Sequence, residues 1–315
     1  MDEIYDVIII GAGPAGLSAG LYAARARMKT LILEKGSPGG QVLTTHEVAN
    51  YPGSTAQVTG PGLVKRMVEQ CNEFGVEIVR NSVKHVDFSE DIKIITTEKA
   101  DVYKAKTIIV ATGSVSRKIG CPGEAKLTGR GVSYCATCDA DFSTGLEVYC
   151  VGGGDTALEE GMYLTKFASK VTLVHRRDRF RAAKSLIDKA EKNEKMAYLM
   201  NSGVEEIYGE DEVKGLRVRN LLTGEAKDIW AKEEDGTMSV FVFAGYEPLT
   251  DVFKEILDMD DTGYLITNES MHTNIQGVFA AGDVRQKPLR QVVTATSDGA
   301  IAAVYAEKYI EEHKI

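Results

Sequence analysis

The sequence has few cysteines, little proline and no excess of positive charge. Only 5 of its 315 residues are cysteine, too few for a disulfide-stapled secreted scaffold. Lys and Arg number 37 against 46 Asp and Glu, a net charge of −9 that argues against a nucleic-acid or anionic-membrane surface. The opening residues Met1-Asp2-Glu3 lack the basic character of a secretory signal. We therefore expect a cytoplasmic protein that binds neither nucleic acid nor membrane.

The chain also lacks an uninterrupted apolar segment of membrane-spanning composition. Val7 to Ala24 carries no charge over 18 residues, but glycines and a proline interrupt it. This pattern favours a buried strand, a turn and a helix of small residues. Glycine accounts for 31 residues, about 10% against a usual ~7%, whereas proline accounts for only 7. The glycines are therefore expected where the backbone passes close to another group, and the length predicts about two domains.

A strand–turn–helix pattern occurs twice, 141 residues apart. In the first copy, the predicted strand Val7–Ile10 leads into G-x-G-x-x-G at Gly11–Gly16 and a helix to about Arg27. In the second copy, Glu147–Val151 leads into a similar turn at Gly152–Ala157. The glycines of such turns make a tight bend, let the backbone approach a pyrophosphate and bring helix and strand close together. The pattern predicts two dinucleotide sites, with ordinary tight turns as the alternative.

The two copies differ at the position that contacts the ribose. Glu34 ends the second strand of the first copy, and a carboxylate there accepts hydrogen bonds from ribose hydroxyls. The second copy has His175, Arg176 and Arg177, with Arg181 nearby. A basic cluster suits a 2′-phosphate, so we predict FAD in the first site and NADPH in the second, with electron transfer between them. A solvated basic helix face or a nuclear-type signal is the alternative.

Cys135-Ala136-Thr137-Cys138 is the one C-x-x-C of the chain. It could be half of a zinc site, two structural thiols or a redox-active pair. Zinc needs two further ligands, and the remaining cysteines and the five histidines show no ligand spacing, so no metal is expected. A redox pair is favoured because this spacing allows a readily exchanged disulfide. Asp139, directly after the pair, is either a general acid–base or a cap.

The C-terminal segment carries a further candidate site. Thr273–Asp283 is predicted as a strand that ends in a sharp Gly-Asp turn, and a helix follows over about residues 293–311. Asp283 at a strand end can accept hydrogen bonds from hydroxyls of a cofactor. Without more information the same turn is equally well an ordinary one.

Together these motifs resemble the low-molecular-weight, bacterial-type thioredoxin reductases among the flavoprotein pyridine nucleotide-disulfide oxidoreductases. The resemblance extends over essentially the whole chain, and Cys135–Asp139 is similar to the redox motif of that family. It implies an α/β fold with two Rossmann-like domains of the three-layer ββα type. An NADPH domain, residues 117–246, would be inserted into a discontinuous FAD domain, residues 1–116 and 247–315.

The resemblance also implies which residues bind the two nucleotides. Those implied for FAD are Gly11, Gly13, Pro14, Ala15, Gly16, Glu34, Gly40, Gln41, Asn50, Ala111, Thr112, Gly113, Gly282, Asp283, Arg290, Gln291 and Val292. Those implied for NADPH are Gly152, Gly154, Asp155, Thr156, Ala157, His175, Arg176, Arg177 and Arg181.

The activity that the resemblance implies is an electron relay in a homodimer, from NADPH through FAD to the Cys135–Cys138 disulfide and then to oxidised thioredoxin. Cys138 would face the flavin, Cys135 would attack the thioredoxin disulfide, and Asp139 would protonate the leaving thiolate. The nicotinamide and the cysteine pair would share one domain, yet both must reach one flavin. That domain is therefore expected to rotate, with hinges near residues 113–118 and 244–248.

Two positions depart from the usual pattern of the family. Ala140-Asp141 stands where a glycine and an aromatic are more usual, and Leu249 stands where asparagine is common. The alternative function is a related reductase that serves a specialised thioredoxin-like partner or takes electrons from ferredoxin. A non-catalytic flavoprotein is disfavoured because Cys135, Cys138 and Arg176 are all present.

Overall fold

The computed structural model describes residues 3–45, 48, 50–55 and 58–314. Its contacts divide the chain into two compact units, residues 1–115 with 247–315 and residues 116–246. The chain crosses from one unit to the other twice, and the two crossing segments pair as a small two-stranded sheet. The mixed α/β class with parallel sheets is as predicted.

The elements are numbered along the chain. The helices are α1 (Pro14–Arg25), α2 (Gly60–Glu73), α3 (Glu124–Leu127), α4 (Ala136–Asp139), α5 (Asp155–Leu164), α6 (Lys184–Glu191) and α7 (Val292–His313). The strands are β1 (Ile4–Ile10), β2 (Thr30–Glu34), β3 (Glu77–Arg80), β4 (Val83–Asp87), β5 (Lys93–Thr97), β6 (Val102–Val110), β7 (Ser114–Ser116), β8 (Val132–Ser133), β9 (Glu147–Val151), β10 (Lys170–Val174), β11 (Met196–Leu199), β12 (Ser202–Tyr208), β13 (Gly215–Asn220), β14 (Ala226–Trp230), β15 (Ser239–Val242), β16 (Tyr246–Pro248) and β17 (Val278–Ala280).

The first unit, residues 1–115 with 247–315, is built on a sheet whose central strands are parallel, in the order β3-β2-β1-β6. On the side of β6 that faces away from β1, two strands pair with it. β5 pairs antiparallel with the start of β6, and β17 pairs parallel with its end. Val7 and Ile9 of β1 enter one hydrophobic core, while Ile8 and Ile10 enter the other. Alternate side chains of a strand point to opposite faces, so a strand covered on both sides is apolar throughout.

The helix α1 follows the first glycine turn directly. Pro14 is at its first position, where the missing N–H costs no hydrogen bond. The helix ends at Arg25, two residues before the predicted Arg27, which has a φ of 61°. The uncharged run of the sequence is thus a strand, a turn and a helix. Among the residues described, no helix is both long and apolar enough to cross a bilayer.

We expect Gly299→Ala to destabilise the first unit, because α7 packs on α1 through this glycine. A Cβ at position 299 would lie 2.1 Å from the backbone oxygen of Ala15. Overpacking of this kind should lower the free energy of unfolding by about 2–3 kcal/mol in urea denaturation. The control is Gly161→Ala in α5, where a Cβ would lie 3.5 Å from the Met196 side chain and alanine favours the helix. Equal midpoints for the two variants would contradict this account of the α1–α7 packing.

The second unit, residues 116–246, repeats the arrangement of the first. A five-stranded parallel sheet has the order β11-β10-β9-β15-β8, and β12, β13 and β14 form a separate antiparallel sheet. The segment β9-α5-β10 corresponds to β1-α1-β2, with a glycine turn before the helix and parallel pairing of its two strands. The repeat of the sequence is therefore a repeat of the structure.

The C-terminal strand is shorter than predicted. The pattern indicates a strand from Thr273 to the Gly-Asp turn, but only Val278–Ala280 forms one, and Gly282–Val284 is a 3₁₀ turn. The Thr273 hydroxyl donates to the backbone oxygen of Val278, and Gly277 has a φ of 73°. These residues form a turn ahead of the strand, since the polar side chain competes with extended pairing.

Candidate active site

The first glycine turn leaves space on one side and is closely packed on the other. Gly11 has a φ of 107°, and a Cβ there would lie 2.4 Å from the Ala111 backbone oxygen. A Cβ on Gly16 would lie 1.9 Å from the backbone oxygen of Gly11. A Cβ on Gly13 would instead meet no atom within 4 Å. The backbone at Gly13 and the start of α1 are therefore open to a phosphate group, which fits the FAD predicted for this turn.

Glu34 lies at the end of β2 and faces the same turn. Its Oε2 accepts a hydrogen bond from Ala12 N at 2.8 Å, and its Oε1 accepts one from Gly36 N at 2.8 Å. Each carboxylate oxygen can accept a further hydrogen bond. Glu34 can thus hold the loop and bind ribose hydroxyls at the same time.

Gln41, Thr112 and Asn50, which are also implied for FAD, form hydrogen bonds to other segments of the first unit. Gln41 donates from Nε2 to the backbone oxygen of Ser114, next to Gly113. Thr112 donates to the Leu249 backbone oxygen at 2.8 Å, and Gly113 has a φ of 73°. Asn50 Nδ2 donates to Gln291 Oε1 at 3.0 Å, directly before α7. The structure therefore brings these segments together within the first unit.

Asp283 is a buried carboxylate without a hydrogen-bond partner on one oxygen. Among the described residues, its Oδ1 has none. Burial raises the pKa of Asp283 to about 6, although Lys287 and Arg290 act in the opposite direction. A buried acceptor without a donor costs free energy until a donor arrives. Hydroxyls of a bound cofactor would supply one, so this site also fits FAD.

A second buried carboxylate, Asp298 in α7, holds this turn and was not identified from the sequence. Its Oδ2 accepts from Gly282 N at 3.0 Å and from Lys287 Nζ at 2.6 Å, and Arg285 lies 3.1 Å from Oδ1. The available signal was an acidic residue on the alanine- and glycine-rich face of α7. Asp298 positions the Gly282-Asp283 turn and balances the two cations.

We expect Asp298→Ala to raise the dissociation constant for FAD about tenfold or more, because it removes an acceptor and leaves two cations without their counter-charge. Asp298→Asn restores an acceptor for Gly282 N but not the charge, so it should fall between wild type and Asp298→Ala. FAD fluorescence on dilution of the holoenzyme measures both. Wild-type affinity in Asp298→Ala would show that the turn is held without this carboxylate.

Arg290 completes the residues near Asp283. Its guanidinium lies 3.8 Å from the centre of the Tyr264 ring, and its buried Nε has no hydrogen-bond acceptor in the described part of the chain. The stacking fixes the plane of the guanidinium. A positioned donor is thus available to a cofactor in the first unit.

The second glycine turn is also open where a pyrophosphate would lie. A Cβ on Gly154 would meet no atom within 4 Å, whereas one on Gly152 would lie 2.6 Å from the Cβ of Ala157. Asp155 begins α5, and its Oδ1 accepts a hydrogen bond from Ala183 N at 2.7 Å. Thr156 is exposed beside it. The start of α5 is therefore accessible, and Asp155 connects it to the start of α6.

The buried ring of His175 packs against the second glycine turn at Gly153. Its ring lies 2.1 Å from where a Cβ on Gly153 would be, and its Nε2 is 3.1 Å from the backbone oxygen of Arg179. Burial lowers its pKa. A neutral, buried ring is suited to shaping the loop that presents the neighbouring cations.

Those cations are Arg176, Arg177 and Arg181, and their side chains are exposed. Over the described residues, none of the three forms an ion pair. The backbone N–H of Arg181 donates to the Gly153 oxygen at 2.8 Å, which joins the basic loop to the glycine turn. Three free guanidinium groups beside the predicted ribose position suit a 2′-phosphate.

The two cysteines of the C-x-x-C are joined by a disulfide. Cys135 and Cys138 have Cα atoms 5.3 Å apart, and both residues are half-buried at α4. Ser133 links this pair to Asp139, because its hydroxyl donates to Asp139 Oδ2 at 2.5 Å and accepts from Cys135 N at 3.1 Å. Ser133 was not identified from the sequence. The carboxylate predicted to move protons is thus connected to the backbone of the first cysteine.

Comparison with known proteins gives matches over nearly the full length. A family model described as pyridine nucleotide-disulphide oxidoreductase matches residues 5–299. The thioredoxin reductase of Peptoclostridium acidaminophilum is 59% identical over 311 residues, which are 99% of this chain and 98% of that protein. The structure of thioredoxin reductase from Streptococcus pyogenes MGAS5005 matches with a TM-score of 0.93 at 44% identity, over 99% of this chain and 100% of that one. Lactococcus lactis thioredoxin reductase (FR conformation) matches with a TM-score of 0.66 at 42% identity, over 98% and 99%.

Proposed function

Because the chain belongs to the pyridine nucleotide-disulphide oxidoreductase family and has the activity of a thioredoxin reductase that uses FAD and NADPH, we propose that Cys135 and Cys138 pass the electrons to thioredoxin. The observation that carries this assignment is their disulfide, in the unit that also holds the exposed arginines. When bound, NADPH and FAD supply a hydride donor and a carrier of two electrons.

The two glycine turns are proposed to hold different nucleotides. In the first unit, the open backbone at Gly13, the carboxylate of Glu34 and the buried Asp283 would bind phosphate, ribose and hydroxyl groups of FAD. In the second unit, Gly154 and the start of α5 would hold the pyrophosphate of NADPH. Arg176 and its neighbouring arginines would neutralise the 2′-phosphate.

The cysteine pair completes the reaction by thiol–disulfide exchange. Once its S–S bond is reduced, the Cys135 thiolate attacks one sulfur of the thioredoxin disulfide, so that a mixed disulfide forms and the thioredoxin bond breaks. Asp139 gives a proton to the sulfur that leaves. Cys138 then attacks Cys135 Sγ, which restores the original disulfide and releases the second thiol of thioredoxin. Two electrons have passed to the partner.

Rotation of the second unit is also part of the proposal. The residues assigned to NADPH and the cysteine pair share residues 116–246, whereas those assigned to FAD lie in residues 1–115 and 247–315. Two solved relatives of similar identity, 44% and 42%, match this chain with TM-scores of 0.93 and 0.66. The two sequence identities are nearly equal, so the difference in TM-score supports the proposed rotation. A cross-link that fixes the units should stop turnover and leave one half-reaction intact.

We further propose a homodimer and a cytoplasmic location. A groove of about 450 Å³ on the first unit is lined by α1, α2 and α7, with the exposed side chains of Tyr22 and Val293 at its border. These two exposed apolar side chains are available to be covered by a second copy of the chain. The three further cysteines in the described chain are free thiols, which is typical of a reducing compartment.

The experiment that tests the function is an anaerobic titration of the FAD-loaded enzyme. NADPH should bleach the flavin at far lower concentration than NADH, and oxidised thioredoxin should restore the colour. Bleaching without restoration would show that the cysteine pair serves another partner. No bleaching by either nucleotide would overturn the proposed second site and point to another electron donor, such as ferredoxin.

A further inference from the structure

Glu160 lies against the cysteine turn, although it belongs to the helix that begins at the second glycine turn. Its Oε2 accepts a hydrogen bond from Ala136 N at 3.1 Å, and the N–H of Thr137 also interacts with the carboxylate. Glu160 is half-buried where α5 packs against α4. The N–H of Ala136 belongs to the peptide bond that joins Cys135 to Ala136. The Glu160 carboxylate is therefore bound to the backbone directly after the first cysteine.

The carboxylate is partly withdrawn from solvent but not isolated. Burial raises the pKa of Glu160, and the two backbone N–H groups act in the opposite direction because they stabilise the ionised form. The charge of Glu160 also affects the buried thiol of Cys150. Burial is the main cause of the raised pKa of the Cys150 thiol, and the charge of Glu160 adds to it. The charge of Glu160 therefore opposes the ionisation of the Cys150 thiol, and the same sign of effect is expected on a thiol formed beside Ala136.

This effect matters for the direction of electron flow. A dithiol whose reduced, ionised form is stabilised becomes a strong oxidant, so a nearby negative charge acts in the opposite sense. The pair must reduce a thioredoxin disulfide, which is itself strongly reducing when opened. A carboxylate beside the first cysteine favours delivery of electrons over their retention.

We propose that Glu160 is a positioning residue of the cysteine pair, which holds the backbone at Ala136 and makes the reduced pair a stronger reductant toward thioredoxin. The inference rests on the proposed role of Cys135 and Cys138 as the redox-active pair. It assigns two functions to α5: the start of the helix would hold the nucleotide, and Glu160 in its middle holds the backbone that follows Cys135.

The test compares Glu160→Gln with Asp188→Asn in the FAD-loaded enzyme. Glutamine keeps an oxygen that can accept from Ala136 N but removes the charge, and Asp188 is an exposed carboxylate of α6 in the same unit. Each enzyme is equilibrated with dithiothreitol redox buffers, its thiols are trapped, and the dithiol fraction is counted by mass spectrometry. The pKa of the Cys135 thiol is read from the pH dependence of iodoacetamide alkylation.

In Glu160→Gln the equilibrium should shift toward the dithiol about tenfold, and the pKa of the Cys135 thiol should fall by about one pH unit. Asp188→Asn should change neither. Wild-type values in Glu160→Gln would overturn the proposal and leave Glu160 as a backbone anchor alone. Glu160→Ala removes the same charge and decides the question if Glu160→Gln does not fold. A wild-type pair that NADPH cannot reduce would contradict the proposed function instead, so the two failures are distinguishable.

Discussion

Replacing Cys138 with serine is expected to lower the rate of thioredoxin reduction by at least about a thousandfold, because no disulfide can then re-form with Cys135. The residues assigned to FAD and NADPH are unaffected. Bleaching of the flavin by NADPH should therefore continue at nearly the wild-type rate. Stopped-flow absorbance measures the bleaching, and a coupled thioredoxin assay measures turnover.

The matched control is Cys121→Ser, which alters a half-buried free thiol in the same unit. It should turn over at a rate close to that of wild type. Full turnover by Cys138→Ser would show that electrons reach thioredoxin without this pair. Loss of flavin bleaching in the same variant would show that the cysteine contributes to nucleotide binding.

Removing both Arg176 and Arg177 as alanines is expected to raise the KM for NADPH by about 100-fold. Each lost charge-assisted contact with the 2′-phosphate accounts for about 1.5 kcal/mol or more. The KM for NADH should change little, since NADH has no 2′-phosphate. Steady-state kinetics with both nucleotides measure the change in preference.

Lys189→Ala is the control for this pair, because it removes an exposed cation of α6 in the same unit. It should leave the preference for NADPH unchanged. An equal rise in KM for both nucleotides in the double variant would mean that the arginines support the loop, and that the discrimination arises elsewhere.

Local signals in the sequence predicted local features of the structure. The glycine turns, α1 and the strand β9 depend on residues within a few positions of one another, and each lies within two residues of its prediction. The resemblance to thioredoxin reductases is confirmed by the family model and the full-length relatives. The C-x-x-C alone left three interpretations open, and the disulfide in the structure agrees with the redox pair.

The features that were missed depend on contacts between distant segments. Asp298 meets Gly282 across 16 residues, and Glu160 meets Ala136 across 24. No periodicity within α5 or α7 indicates which backbone N–H will face such a side chain. The strand predicted from Thr273 was too long because its apolar residues suggested pairing, whereas a threonine hydroxyl and Gly277 turn the backbone there. Tertiary contacts decided these cases.

The return of the chain to its first sheet has a consequence for synthesis on the ribosome. β17 and α7, which close the sheet and cover α1, come from the last part of the chain. At about 5–20 residues per second, they emerge roughly 10–35 s after β6 is complete. During that interval the inserted unit can fold, while the apolar face of α1 stays without its partner. The nascent first unit is thus a natural client for chaperones, and a chain that stops before α7 should be cleared as an unfolded protein.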